Sequence, residues 1–265
     1  MLSMNLSHEI PLNMASHVYY NTAIVRIAAF LKERYGYLNM VDVGANIGDT
    51  VSLISDVVSG RFLCVEADEK YYQHLLINTE DIDNVHSVKA LCDQVDGVTN
   101  ISFDRIGGSS RVLDRSVAGN LVVDKVTLDS LIGKLKLFEK INFVKIDTDG
   151  YDYRVIRGCD RLIVENRPAF FFELCPRFLR GAGENTMSIF DYLLQRGYGE
   201  ALFYDNVGFP VMPLGIDETK YICQLVDYAD RKGTYFDVLI FHSSHIIDSE
   251  LFFENEMKFF EKKLV

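Results

Sequence analysis

The stretch "VDVGANIGDT", residues 41–50, decides the fold. It follows a predicted strand, "YLNMVDVG" (37–44), and leads into a predicted helix, "GDTVSLISDVVS" (48–59). Gly44 and Gly48 permit a tight turn and a close approach of the backbone to a ligand. The first turn of the following helix offers free N–H groups to an anionic group. Strand, glycine turn and helix in this order indicate a nucleotide-type site at the edge of a sheet.

Strands and helices continue to alternate beyond this turn. The hydrophobic pattern predicts, in chain order, a strand at 61–67, a helix at 69–80, a strand at 85–92, an irregular segment at 93–120, a strand leading into a helix at 121–135, strands at 141–147 and 167–175, and a helix at 186–197. Strands joined by short helices imply a parallel sheet with right-handed crossovers. We therefore expect an α/β fold.

The ends of the chain are expected to add further elements. One helix is predicted from an N-cap at Ser16 to a terminating glycine at Gly36. A hairpin around 205–208 and a strand at 234–243 would extend the sheet edge in antiparallel fashion. A last helix is expected to have an apolar stripe made of Phe253, Met257, Phe260 and Leu264.

Composition and charge limit the possible functions. The formal net charge is −11, which would repel a phosphate backbone, so no nucleic-acid partner is expected. The five cysteines form no C-x-x-C pair, as is typical of reduced thiols in a cytoplasmic protein. No secretory signal and no apolar run of bilayer length is visible, so we expect a soluble protein without membrane insertion.

No repeat or linker-like tract interrupts the sequence, so a single domain over residues 1–265 is expected. Within it, 1–37 would be a helical extension, 39–176 the cofactor-binding core, and 177–265 the sheet-edge strands and last helix.

An acidic residue closes the second predicted strand. Glu66 follows Gly44 by twenty-two residues, where an acidic side chain can accept both hydroxyls of an adenosine ribose. The turn reads G-A-N-I-G-D-T rather than G-x-G-x-x-G. Asp42 beside it would repel a pyrophosphate but attract a cation. S-adenosylmethionine carries a sulfonium and an ammonium, so the residues favour it over NAD.

Three aspartates, Asp147, Asp149 and Asp152, follow a strongly apolar predicted strand. Because side chains alternate along a strand, Lys145 and Asp147 share a face and can pair. Asp147 and Glu173 end neighbouring strands, so the sequence predicts a carboxylate pair in one crevice, joined by Asp149. Asp149 and Asp152 also fit an N-cap and the acidic third residue of a helix, which is a structural role.

Together, these segments resemble the FkbM-type family of S-adenosylmethionine-dependent methyltransferases. The likeness covers roughly residues 39–176 and is carried by "VDVGANIGDT", "VEADEKYYQHLLINTE", "VTLDSLI", "FVKIDTDGYDYRVIRG" and "RPAFFFEL". It implies a class I methyltransferase (Rossmann-like) fold: a mostly parallel, seven-stranded sheet with helices on both faces and an antiparallel late strand. It also implies O-methylation, frequently of a saccharide hydroxyl.

The resemblance further implies roles for particular residues. Asp42, Gly44, Asn46 and Gly48 would line the methionine end of the cofactor, Thr50 would reach its carboxylate, Glu66 would bind the ribose, and Asp93 would contact adenine. The sequence departs from the family in two places. Ala67 stands where a proline is usual after Glu66, and Asp149 and Asp152 stand where glutamates are usual. The second departure keeps the charge and shortens the reach.

Two chemical roles for the carboxylates stay open. In the favoured one, Asp147 accepts the acceptor's hydroxyl proton or hydrogen bond, with Glu173, Asp149 and Lys145 beside it. In the other, Asp147, Asp149 and Glu173 hold Mg²⁺, which polarises the hydroxyl. The segment Gly107–Ser110 fits a flexible turn and a lid over the site equally well.

Two other functions suit the same fold. A Rossmann-type NAD(P)-dependent oxidoreductase would need a tyrosine–lysine or comparable hydride-transfer set. A non-catalytic binding protein could keep the fold without turnover. We favour an S-adenosylmethionine-dependent O-methyltransferase that acts on a hydroxyl of a small-molecule or saccharide acceptor.

Overall fold

The computed structural model describes residues 2–4, 8–114 and 121–262. In these ranges the strands are β1 (Asn39–Val43), β2 (Arg61–Glu66), β3 (Val85–Lys89), β4 (Leu91–Cys92), β5 (Gly97–Ile106), β6 (Ser109–Asp114), β7 (Leu121–Val126), β8 (Phe143–Ile146), β9 (Ala169–Leu174), β10 (Tyr198–Asp205), β11 (Pro210–Gly215) and β12 (Phe236–His242). The helices are α1 (Ile10–Ser16), α2 (Thr22–Tyr35), α3 (Asp49–Ser55), α4 (Glu69–Thr79), α5 (Leu128–Leu135), α6 (Asp152–Arg157), α7 (Asp160–Asn166), α8 (Pro176–Gly181), α9 (Ser188–Leu194), α10 (Thr219–Lys232) and α11 (Ile246–Glu261). A short 3-10 helix, Ser243–His245, precedes α11.

The main sheet has the order β11-β10-β12-β9-β8-β1-β2-β3. Its five strands from β9 to β3 pair in parallel. Strand β12 runs antiparallel to both β9 and β10. The predicted α/β class and the antiparallel late strand are therefore confirmed. The expected count of seven strands is wrong, because the predicted hairpin contributes an eighth strand, β11, antiparallel to β10 at the edge.

Helices cover both faces of this sheet. On β8, Val144 and Ile146 belong to a core cluster that includes residues of α5 to α10. Phe143 of the same strand belongs to a second cluster with residues of α2, α3, α4 and α11. Successive side chains of a strand point to opposite faces, so each cluster is one layer of the core.

A second, four-stranded sheet has the order β4-β7-β5-β6. The prediction of an irregular segment at 93–120 is therefore wrong, and residues 115–120 lie outside the described part. The predicted strand at 85–92 is divided, because β4 pairs with β7 in this second sheet. The strand signal in β5 is weak because its apolar residues do not share one face: Ile101 is buried, whereas Val98 is exposed.

The N-terminal helix begins later than predicted. Asn21 adopts a left-handed conformation, with φ of 56°, and α2 starts at the next residue. Ser16 is the last residue of a separate helix, α1, rather than an N-cap. The predicted end is confirmed, since Gly36 takes the left-handed conformation (φ 77°) that favours glycine after a helix.

The inner face of α11 also differs from the predicted stripe. The residues of α11 that are buried are Asp248, Ser249, Phe252, Glu256 and Phe260. Met257 is exposed, and Leu264 lies outside the described residues. Glu256 is accommodated because Arg26 donates to its two oxygens at 2.6 and 2.8 Å. Tyr204 donates a further hydrogen bond to it, so α2, α11 and β10 meet at one charged pair.

Candidate active site

The candidate site lies where the parallel strands of the main sheet end. Glu66 closes β2, Gly44 follows β1, Asp147 follows β8, and Glu173 is near the end of β9. Asp237, at the start of antiparallel β12, is the register partner of Glu173. Neighbouring strands are about 4.8 Å apart, so these residues form a row along one sheet edge. Ligands of open α/β sheets bind at this edge.

The turn after β1 can hold only glycine at its first position. Gly44 has φ of 78°, and a Cβ atom there would lie 1.8 Å from the backbone oxygen of Asp147. The N–H groups of Gly44 and Ala45 both donate to the carbonyl of Val65, at 2.9 and 3.0 Å. The turn is thus hydrogen-bonded to the end of β2 and packs directly against the backbone that follows β8.

Glu66 is buried and organises the same turn. Its Oε2 accepts a hydrogen bond from the N–H of Asn46 at 2.9 Å, and its Oε1 accepts one from the N–H of Asp68 at 2.8 Å. Burial raises the pKa of Glu66 to about 7, although these N–H groups oppose the shift. Each carboxylate oxygen retains a lone pair that can accept from a ligand hydroxyl.

Asp42 pairs with Lys145. The two residues are register partners on β1 and β8, and Asp42 Oδ1 lies 3.0 Å from Lys145 Nζ. Asp147 is farther from the same ammonium, at 3.6 Å. Burial lowers the pKa of Lys145, but Asp42, Asp147 and Asp49 outweigh it and raise the pKa above its ordinary value. The main ion-pair partner of Lys145 is therefore Asp42, and the predicted partner, Asp147, is the more distant of the two. The lysine stays charged.

Two of the cavities that described residues line adjoin each other along this edge. The larger, about 370 Å³, has in its wall Thr50, Lys145, Glu173, Tyr235 and Asp237 among others. The smaller, about 50 Å³, is lined by Glu66 and by mostly apolar residues such as Leu91, Phe103 and Val112.

Four residues line both cavities and form what we call the junction: Gly44, Asn46, Asp147 and Asp149. The predicted cofactor turn and two of the predicted carboxylates therefore meet at one point.

The three aspartates after β8 have separate surroundings. The side chain of Asp147 is 57% exposed. Asp149 has a left-handed backbone (φ 51°), and burial, followed by the charges of Asp147 and Asp152, raises its pKa to about 7. The interpretation of Asp149 as an N-cap is wrong, because α6 begins at Asp152 and is preceded by Tyr151.

Asp152 has a structural role, but as the first residue of α6 rather than the predicted third residue of a helix capped by Asp149. It is fully buried, and its Oδ2 accepts hydrogen bonds from the hydroxyl of Thr148 at 3.0 Å and the N–H of Gly150 at 3.2 Å. Its Oδ1 accepts from the N–H of Glu173 at 3.3 Å. Asp152 thus holds the loop that carries Asp147 and Asp149 against the end of β9.

The remaining predicted cofactor residues differ in their placement. Thr50 is buried in the wall of the larger cavity. Gly48, with φ of 82°, precedes α3 and packs against Leu75. Asp93 is buried and forms ion pairs with Lys125 at 2.9 Å and Arg154 at 3.8 Å. Gly48, Asp93 and Asp42 are not among the described residues that line the two cavities, and their contacts with a cofactor stay predictions.

Several residues of the larger cavity were not singled out from the sequence: Tyr20, Asp49, Phe171, Tyr235 and Asp237. The sequence does contain a signal for Asp237, because it is a single charged residue in the apolar run "TYFDVLIF". Lys145 in "INFVKID" was singled out for the same reason. No comparable signal marks Tyr20, which precedes α2 in a loop.

The Gly107–Ser110 segment is the tip of the β5–β6 hairpin. The carbonyl of Gly108 accepts a hydrogen bond from the side chain of Asn46 at 2.8 Å, and that of Gly107 accepts from the N–H of Glu9 at 3.0 Å. Gly107 and Gly108 line the larger cavity. The segment is therefore a hairpin turn whose tip contacts the junction residue Asn46, and its flexibility and its role as a lid stay predictions.

Within the described residues, no group of three or more His, Cys, Asp or Glu side chains is arranged to hold a metal ion. Asp147, Asp149 and Glu173, the three candidate Mg²⁺ ligands, therefore do not form such a group.

Comparison with known proteins connects this site to a family. The family model described as "Methyltransferase FkbM domain" matches residues 42–199, which is more than half of the chain. The matched range contains the turn, Glu66, the aspartates and Glu173. The comparison with curated proteins gave no match.

Three solved structures are similar in fold. A methyltransferase FkbM from Methylobacillus flagellatus KT is 19% identical, covers 63% of this chain and 40% of its own, and has a TM-score of 0.44. An O-methyltransferase from Bacillus cereus, in complex with SAH, is 14% identical over 91% of this chain and 93% of its own, with a TM-score of 0.48. A precorrin-6y C5,15-methyltransferase from Geobacter metallireducens GS-15 is 13% identical over 77% and 80%, with a TM-score of 0.39. The chain thus spans 40% of the length of the Methylobacillus protein.

The matched segments and the α/β sheet define the chain as a methyltransferase domain. The chain belongs to the FkbM methyltransferase family, on the strength of the family model. This membership disfavours the oxidoreductase. Among the described residues, no helix has the length and apolar character needed to span a membrane.

Proposed function

We propose that this chain transfers a methyl group from S-adenosylmethionine to a hydroxyl group, most readily that of a saccharide. The observation that carries the proposal is the junction, where Gly44, Asn46, Asp147 and Asp149 line both cavities. A donor that extends from the smaller cavity to the turn and an acceptor in the larger cavity would meet beside carboxylates. Positioning of two reactants in this way supplies much of the rate of a bimolecular transfer.

The residues fit the donor. Gly44 lines both cavities, and Glu66 has lone pairs for ribose hydroxyls. Thr50 and Asp49, at the start of α3, line the larger cavity beside the turn. When bound, S-adenosylmethionine supplies a methyl group on a positively charged sulfur. The smaller cavity is narrower than a typical cofactor site, so it must widen to admit adenosine.

Asp149 is the best-placed proton acceptor. S-adenosylmethionine would supply the methyl group, and a carboxylate of this chain would take up the proton that the acceptor hydroxyl releases. A base with a pKa near neutrality suits this role, and the pKa of Asp149 is about 7. Asp147, named from the sequence, is more exposed and lies 3.6 Å from Lys145, so we assign it to orienting the acceptor. A Mg²⁺-assisted route would need Asp147, Asp149 and Glu173 to converge when the ion binds.

The lining of the larger cavity suits an acceptor that is rich in hydroxyl groups. The larger cavity presents polar groups from several elements, among them Asn13, Asn21 and Asn206. Phe171, Tyr20 and Tyr235 add ring surface to the same wall. Polar groups that fix orientation beside aromatic faces are typical of small-molecule sites.

The test is a thermal-shift screen of the full chain with S-adenosylmethionine, S-adenosylhomocysteine, NAD and NADP, each with and without Mg²⁺. A ligand that binds only the native state raises the melting temperature by mass action. We expect stabilisation by the two adenosyl-sulfur compounds and none by the nicotinamide cofactors. Stabilisation by NAD alone would overturn the proposal. The chain has one tyrosine–lysine pair at the Y-x-x-x-K spacing of some oxidoreductases, Tyr228 and Lys232. Both residues are exposed on α10.

A variant of Glu66 tests the ribose contact. In Glu66→Gln, the side chain keeps its size but has one acceptor oxygen instead of two, and its amide cannot accept the N–H that the second oxygen now accepts. We expect S-adenosylhomocysteine to bind about 10- to 100-fold more weakly, as for loss of hydrogen bonds to a charged group.

Isothermal titration calorimetry measures this affinity. The matched control is Glu69→Gln on the exposed start of α4, which should bind as the unmodified chain does. Equal affinities for the two variants would remove Glu66 from the cofactor site.

A further inference from the structure

The larger cavity has an excess of acidic groups. The described residues that line it include one ammonium group, that of Lys145, two imidazoles, His8 and His17, and six carboxyl groups: Glu9, Asp49, Asp147, Asp149, Glu173 and Asp237. Lys145 is already paired with Asp42 at 3.0 Å and lies near Asp147 at 3.6 Å. Among the described residues, no ion pair reaches Glu173 or Asp237. The far end of the cavity therefore has two carboxyl groups, Glu173 and Asp237, without a cationic partner in the described part of the chain.

Glu173 supplies an independent sign of a missing partner. Its side chain lies in the cavity wall, the residue is only 7% exposed, and its Oε2 has no hydrogen-bond partner in the described structure. A buried carboxylate oxygen without a donor is costly. Burial and the neighbouring carboxylates raise the pKa of Glu173, and burial and Asp147 raise that of Asp237. Both groups would be stabilised as carboxylates by a bound cation that donates hydrogen bonds.

Glu173 and Asp237 are separated from the donor side of the site. Asp237 and Glu173 face each other in register on β12 and β9, and Asp147 follows the next strand, β8. Glu173 is thus about 5 Å, and Asp237 about 10 Å, along the sheet edge from the junction. The cofactor turn at Gly44 lies one strand beyond Asp147 on the other side. An acceptor in the larger cavity can therefore present a hydroxyl at the junction and a second group between Glu173 and Asp237.

We propose that Glu173 and Asp237 bind a protonated amino group of the acceptor, so that the substrate is a hydroxylated amine of the amino-sugar class. This inference rests on the proposed function and specifies its acceptor. An ammonium has three N–H donors and can bind the carboxyl groups of Glu173 and Asp237 together. An acidic sugar would add a negative charge to a cavity that already has an excess of them. A neutral sugar would leave the two carboxyls without a counter-charge.

The experiment compares three sugars of the same ring size, glucosamine, glucose and glucuronate, as probes. Binding to the full chain is measured by calorimetry with S-adenosylhomocysteine present, at a pH where the amine is protonated. We expect glucosamine to bind at least about tenfold more tightly than glucose, and glucuronate more weakly than either. Equal affinities, tighter binding of glucose, or no binding of glucosamine would overturn the inference.

Two variants test whether Asp237 is responsible for the preference for glucosamine. Asp237→Asn keeps the shape of the side chain, and we expect it to reduce the affinity for glucosamine to that for glucose. The matched control, Asp83→Asn, removes the same charge from an exposed position before β3 and should keep the preference. A preference that survives in Asp237→Asn would contradict the assignment.

The S-adenosylhomocysteine thermal shift separates the two proposals. If that shift is absent in the unmodified chain, the proposed function fails. If it is present in the unmodified chain and in Asp237→Asn, but no preference for the amine exists, only the present inference fails. Repeating the titrations with Mg²⁺ tests an inorganic cation as the occupant. Loss of the glucosamine preference in Mg²⁺, but not in NaCl of equal ionic strength, would assign the two carboxylates to the metal instead.

Discussion

Replacement of Asp149 by asparagine is expected to lower kcat for methyl transfer by about 10²- to 10⁴-fold, the usual contribution of a general base. Asp149 lies at the junction, and burial raises its pKa to about 7. Asparagine has nearly the same shape and tolerates the left-handed backbone at this position, where φ is 51°. It cannot take up the hydroxyl proton. The measurement is steady-state transfer of radiolabelled methyl from S-adenosylmethionine to an acceptor that gives turnover.

The pH profile shows whether the loss comes from proton transfer. The base acts in its ionised form, so the rate of the unmodified chain should fall as pH drops below about 7 and level off above it. Asp149→Asn should lose this pH dependence and keep its S-adenosylhomocysteine thermal shift. Asp147→Asn is the comparison, because that side chain is 57% exposed and should cost less activity. A greater loss in Asp147→Asn than in Asp149→Asn would return the base role to Asp147.

Replacement of Lys145 by methionine is expected to destabilise the fold by about 3–5 kcal/mol, the usual cost of removing one partner of a buried ion pair. Methionine can fill the space of the lysine stem, so the loss is mainly electrostatic. It leaves Asp42, which is 1% exposed, without its cation in the middle of the main sheet. Urea denaturation, followed by circular dichroism, measures the change in the free energy of unfolding.

A double variant supplies the control for Lys145. In Asp42→Asn/Lys145→Met, the uncompensated charge at Asp42 is removed as well, so the double variant should be more stable than Lys145→Met alone. The single and double changes form a mutant cycle that isolates the interaction between the two residues. If the loss of unfolding free energy in the double variant equals the sum of the losses in Asp42→Asn and Lys145→Met, the two residues are not coupled. The proposed ion pair between Lys145 and Asp42 would then not stabilise the fold.

The parallel core of the fold was predictable because its signals are local. β1, β2, β8 and β9 are short apolar runs bounded by glycine, acidic or turn residues, and each lies within its predicted range. The second sheet was not predictable in the same way. β4 has two residues, and β5 mixes inward and outward apolar side chains, so pairing between distant segments defines them.

The candidate site divides along the same line. The glycine turn, Glu66, Asp147, Asp149 and Glu173 were found because each lies at a strand end, which is a property of the sequence pattern. Asp237 was missed because the site uses the first residues of β12, and only its antiparallel direction brings them to the carboxyl ends of the others.

The sequence by itself determined the class of fold and the residues of the cofactor turn, because hydrophobic period and turn chemistry act over a few residues. The tertiary structure alone decided three things: that Lys145 pairs with Asp42, that Asp149 rather than Asp147 is sheltered, and that Asp237 faces Glu173. These depend on strand order and register, which bring together residues far apart in the chain. The burial of a side chain and the charges around it depend on all the residues packed against it. Those residues come from distant segments, so a short stretch of sequence cannot predict them.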